Sequence, residues 1–149
     1  MSTLRQQLEA RIRDNAPEFD SAGLAGFREV AGAAGLKNIM AGRVSAPGCY
    51  LYRHRVRAQA NVLDDGVMQR VEEQYGVVIV LRNLTDARQA DSSDLAEAYS
   101  EVIQQLLLAW SPGEYTDDFE YAGGQLVSLQ NGYYYWQDNY RTARIIKQV

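Results

Sequence analysis

His54 and Cys49 are the one histidine and the one cysteine of this chain, and most enzyme chemistry legible in a sequence would have to pass through them. A thiolate and an imidazole cooperate only within hydrogen-bonding reach. These two lie an odd number of residues apart, so along one strand they point to opposite faces. The pair therefore reads as a strand histidine and a small buried cysteine. A Ser-His-Asp arrangement would need the same His54, and no serine sits in a nucleophile-elbow sequence. Zinc ligation of the usual Cys/His kinds is nearly excluded within one chain, and a lone cysteine forms no intrachain disulfide.

Carboxylates are the other candidates for chemistry. Asp64-Asp65, Glu72-Glu73 and Asp117-Asp118 with Glu120 resemble the paired acids of glycosidic or metal-assisted hydrolysis. Adjacent strand positions diverge, however, and Asp64-Asp65-Gly66 is what a turn requires. Gly123-Gly124 lies inside a strand pattern, where a bulge or tight bend explains it better than a phosphate loop. The expectation is a protein that is not an enzyme, with no catalytic residue, metal ligand or cofactor-binding residue to name. A small-ligand-binding module or hydrolase is the poorly supported rival.

Surface residues carry more information. Arg53, Arg55 and Arg57 alternate along one face of a strand in an otherwise acidic protein, and Arg141, Arg144 and Lys147 gather near the C terminus. Two readings stay open for the row: a solvated face partly neutralised by Glu72, or contact with an acidic partner or with passing nucleic acid. Tyr133, Tyr134, Tyr135 and Trp136 place aromatic rings on both faces of their strand, which suits a core or a subunit interface equally. Val77 to Leu81 is apolar on both faces, as in a central strand or one against a partner, and this makes Val78 and Val80 interface candidates. On the interface reading, Val78→Asp or Tyr134→Asp should release monomers with secondary structure intact; outright unfolding would mark either residue as core.

The elements that position these residues follow from periodicity. Leu4, Leu8 and Ile12 predict an amphipathic helix, and Leu24, Phe27, Val30, Ala31 and Ala34 predict a second, glycine-weakened one after Pro17. Lys37 to Gly48 reads as an irregular connection. A turn at Leu63-Asp64-Asp65-Gly66 pairs Ala58 with Val71, Tyr52 with Val77 and Tyr50 with Ile79, leaving Val56 opposite Glu73 as a misfit that suggests a bulge. Leu95, Tyr99, Val102, Ile103, Leu106, Leu107 and Trp110 form the clearest helix, with Asp94 and Glu97 as a capping box and Pro112-Gly113 as its stop. Asn131-Gly132 between two aromatic and β-branched runs is a strong hairpin signal, because both central residues of a type I′ turn need positive φ. The order α-α-β-β-α-β-β implies an α+β fold: an antiparallel sheet of about four strands with helices packed on one face.

The bulk properties set limits. At 149 residues, 46% hydrophobic and 23% charged, the chain has the size and apolar content of a single domain over residues 1–149. Its net charge of -4 argues against a dedicated nucleic-acid binder. No apolar run approaches the ~20 residues of a membrane span, and Met1 to Ala10 lacks the pattern of a secretory leader, so a soluble protein that stays where it is made is expected.

Several segments together resemble the tail terminator proteins of long-tailed bacteriophages. They are PGCYLYRHRVRAQ; the strand Val77-Val78-Ile79-Val80 with Arg82-Asn83 and Asp86; the helix stop Trp110-Ser111-Pro112; and Tyr121-Ala122-Gly123-Gly124 leading to Tyr134-Tyr135-Trp136 and Tyr140-Arg141-Thr142. The likeness runs from about Leu4 to Ile146 in element order and rests on patterns of fold. It implies a homohexameric ring that caps the tail tube, fixes tail length and offers a surface to the head connector, in the virion after assembly in the host cytoplasm. The implied partners are the tail tube protein, a head–tail connector or neck protein and, through the lumen, DNA; no membrane is involved. On that implication Val78, Val80 and Tyr133 to Trp136 would meet a subunit or partner, and Arg53, Arg55 and Arg57 would edge the lumen or make charged contacts. A head-side neck or tail-completion protein is the alternative.

Overall fold

A computed structural model describes residues 2–83, 90–113 and 116–148. Helix α1 (Leu4–Asp14) opens with a capping box in which Thr3 Oγ1 accepts from Gln6 N at 3.1 Å and Thr3 N donates to Gln6 Oε1 at 2.9 Å. Pro17 starts α2 (Ala16–Ser21) in its first turn, where a missing N–H costs nothing. The glycine-rich stretch beyond is not the expected helix. It turns at Gly23, with φ 76°, and then runs as strand β1 (Glu29–Gly32). Repeated glycines removed the helical preference, and the parallel pairing of Val30 with Cys49 and Gly32 with Leu51 supplied backbone partners in its place.

The connection expected to be irregular holds a short helix, α3 (Leu36–Ala41). Strands β2 (Gly48–Ala58) and β3 (Val67–Arg82) follow, then α4 (Ala90–Leu107) and the hairpin of β4 (Glu120–Gln130) and β5 (Tyr133–Gln148). The strands form one sheet in the order β1-β2-β3-β5-β4, parallel only between β1 and β2. The α+β class and the mainly antiparallel sheet are as expected, but among the described residues the sheet has five strands rather than about four.

A core cluster on one side of the sheet joins Leu8 and Ile12 of α1, Phe19 of α2 and Tyr99, Ile103 and Leu107 of α4 to Cys49, Leu51, Tyr75, Val77, Ile79 and Tyr134. The other side is not bare: Ile39 of α3 packs with Tyr50, Tyr52, Val78, Val80 and Tyr135. Burial of each such aliphatic or aromatic side chain contributes roughly 1.5–3 kcal/mol.

Helix α4 starts at Ala90, which places Asp94 and Glu97 inside the helix rather than at its cap. It ends at Leu107, before the Pro112-Gly113 stop, where Arg11 Nε donates to the Leu106 carbonyl at 3.0 Å and Ala109 takes a positive φ of 59°. The Asn131-Gly132 turn is as expected, with φ of 54° and 80°. Asp86 lies outside the described residues.

Candidate assembly surface

His54 decides where the arginine row goes. Arg57 pairs with Glu72, Val56 with Glu73 and Arg55 with Gln74, as the register expected; between Arg55 and Arg53 the ladder shifts, and Arg53 pairs with Tyr75, Leu51 with Val77 and Cys49 with Ile79. The bulge sits at His54, not at Val56, and it moves every residue before it by one position. Since Tyr75 and Gln74 point to opposite faces, Arg53 is separated from Arg55 and Arg57, and the row on one face is broken.

Arg53 joins the helix side. There Glu73, 2% exposed, takes Arg144 Nε at 3.2 Å and Arg53 Nη1 at 3.5 Å. Arg55 and Arg57 lie on the opposite face, exposed, with no ion pair among the described residues. Of the C-terminal cations, Arg141 shares their side of the sheet through its pairing with Gln74, whereas Arg144 pairs with Val71 on the helix side.

The same bulge leaves His54 and Cys49 apart. Cys49 is fully buried in the helix-side core, where burial and then the Asp138 charge raise its thiol pKa and suppress the thiolate. His54 is exposed and lies edge-on to Tyr52, which belongs to the other cluster. Of the carboxylate groups, Glu72-Glu73 divides across the sheet, Glu73 buried and Glu72 half-buried on the other face, whereas Asp117, Asp118 and Glu120 line one hollow with Glu72, where Arg70 pairs with Asp117 at 2.7 Å and Arg141 with Glu120 at 3.0 Å. Among the described residues no group of three or more His, Cys, Asp or Glu side chains could hold a metal ion. Among the described residues no helix is long and apolar enough to cross a membrane.

The aromatic run divides between the two cores. Val78 and Val80 have no exposed surface, and Tyr134 and Tyr135 have 3% and 2%. Tyr133 and Trp136 are half-buried and alone of these six candidates keep area to offer a partner.

What the sequence did not single out is the edge formed by β4. Its register shifts twice against β5, between Tyr121 and Gly124 and between Leu126 and Ser128, the first at the Gly123-Gly124 bulge, where Gly123 has φ 108°. Tyr121, Leu126 and Leu129 on its helix-side face are 38%, 45% and 42% exposed, because α4 packs mainly over β3 and β5. Between α4 and β4 runs a groove lined by Glu97, Ser100, Glu101, Gln104, Tyr121 and Trp136.

Asp138 forms the floor beneath that groove. Fully buried, it accepts from Trp136 Nε1 at 2.8 Å, Tyr121 Oη at 2.9 Å and Ser100 Oγ at 2.5 Å, and Gln104 Nε2 donates to Ser100 Oγ at 3.0 Å. Three donors satisfy a carboxylate that would otherwise be costly to bury. Gly124 makes room for them: a Cβ there would strike Asp138 Oδ1, Tyr121 Oη and the Trp136 ring. Burial and then the neighbouring Asp138 charge push the Tyr121 hydroxyl up to about 12, so it stays a proton donor at neutral pH. This arrangement orders an edge.

A family model described as phage tail terminator protein matches residues 5–148, nearly the whole chain, and the chain belongs to that family. No individual curated protein matches it.

Proposed function

We propose, with membership of the phage tail terminator family as the premise, that this chain forms a ring on the end of the tail tube, stops tube polymerisation there and gives the head its joining surface. Its place among the structural proteins of the phage tail, and so in the virion, follows from the family itself. The match over residues 5–148 is the observation that carries the finer reading. The surface is compatible with it: an uncovered edge strand bearing Tyr121, Leu126 and Leu129 beside a groove suits contact with protein better than capture of a small molecule.

A protein that ends a filament must differ on its two sides. A heterologous contact repeated on both sides would simply continue the polymer, so one side has to match a tube subunit and the other must not. A homohexamer would present that asymmetry as a cap, with a connector or neck protein on the far side and DNA crossing the lumen. Assembly would take place in the host cytoplasm. Phage lacking this protein should make tails of irregular or excessive length that fail to join heads, and added purified protein should restore joining to tails of correct length. Normal-length tails with DNA-leaking heads would instead assign the chain to the head side of the neck.

A further inference from the structure

The two edges of the sheet carry opposite charge. At one edge, α4 contributes Asp94, Glu97 and Glu101, all exposed, and has no basic residue along its length. Glu97 and Glu101 line the groove with Tyr121, and Leu126 and Leu129 are exposed on the same face of β4. At the other edge, β1 and α3 sit among Arg13, Arg28, Lys37 and Arg43, again all exposed, against Glu29. Strands β2, β3 and β5 lie between β1 and β4, and among the described residues none of these acids forms an ion pair with any of these bases within one copy. At about 4.8 Å per strand spacing the two edge strands themselves lie roughly 19 Å apart, beyond the ~8 Å screening length at physiological salt.

We propose that a second copy of this chain occupies the β4/α4 groove with its β1/α3 edge, so that subunits join head to tail around the ring. This rests on the ring reading above and adds which surfaces meet. The contact is heterologous, as a closed ring of more than two subunits requires, and each copy keeps one acidic and one basic edge for its two neighbours. The exposed Tyr121, Leu126 and Leu129 of β4 supply the area to be buried, while the charges set orientation and encounter rate. Arg13 Nη2 already donates to the Val30 carbonyl at 2.8 Å, so the outer backbone of β1 is partly satisfied. The meeting is therefore one of side chains and charge rather than continuation of the sheet from copy to copy.

The test is a charge-reversal series on the full chain, followed by sedimentation velocity alone and by cross-linking on tail tubes. Glu97→Lys with Glu101→Lys, or Arg28→Glu with Lys37→Glu, should each weaken self-association by about tenfold or more, and all four together should restore it to within about threefold. These positions are exposed, so folding is retained, and circular dichroism checks it. If rings form and neither pair of reversals affects them, or if the fourfold variant is no better than either pair, the edges do not meet, while the ring reading stands. If the unaltered chain assembles neither free nor on tubes, the ring reading itself fails.

Discussion

Asp138 is the residue on which most local order around the groove converges. Asp138→Ala would leave the Ser100, Tyr121 and Trp136 donors without their acceptor, and we expect a loss of about 3 kcal/mol or more in denaturant unfolding. Gly124→Ala should cost about 1–3 kcal/mol for a different reason, the overlap of its Cβ with the same cluster. Val78 teaches a correction. It has no exposed surface, so Val78→Asp should unfold the chain rather than release folded monomers, and the loss of its circular dichroism signal would show this. The tyrosines predict a pH limit. Burial, aided by Glu29, Glu73 and Asp138 respectively, moves Tyr50, Tyr75 and Tyr121 from the ordinary 10.0 to about 12. The folded chain then holds protons that the unfolded chain gives up, so their contribution is complete below about pH 10 and lost as pH rises through about 12. Urea midpoints should stay flat from neutral pH to about 9 and fall above 10, with tyrosinate absorbance rising late.

At the scale of elements, one inserted residue redirects half a strand. The bulge at His54 turns Arg53 toward the buried Glu73 and leaves Arg55 and Arg57 on the other face. Arg55→Gln and Arg57→Gln should therefore each change stability by no more than about 0.5 kcal/mol, while Arg144→Gln, on the closer side of Glu73, should cost about 1–3 kcal/mol. If DNA passes the surviving pair, replacing both should alter ejection and leave the ring intact. If the pair is simply solvated, neither changes. The loop before β3 shows a related economy: Asn61 Oδ1 accepts from Leu63 N at 3.2 Å and Met68 N at 2.7 Å, while its Nδ2 donates to the Leu63 and Gly66 carbonyls. An asparagine three residues before the Asp-Asp-Gly turn carried no sequence signal, because its partners are backbone groups that only the folded loop assembles.

For the whole molecule, the two core clusters lie on opposite faces of one sheet and share β2, β3 and β5. Neither face can lose its packing without exposing strands that the other needs. We therefore propose that residues 1–149 behave as a single domain, and expect one thermal transition whose calorimetric and van't Hoff enthalpies agree; two resolved transitions would contradict this.

Strong local signals were legible without the fold. The Asn131-Gly132 turn, the Leu4 to Ile12 and Leu95 to Leu107 helical stripes and the apolar β3 core each depend on residue type at short range, and the order of these patterns carried the family resemblance. Tertiary structure decided the rest. Residues 29–32, inside a stretch weakened for helix by its glycines, became a strand because β2 offered an edge with backbone groups to pair, a choice no local propensity expresses. The faces of Arg53 and of everything before it in β2 hinged on where one extra residue was accommodated against β3. The exposure of Leu126 and Leu129 followed from α4 packing mainly over β3 and β5, which depends on packing between elements far apart in the chain.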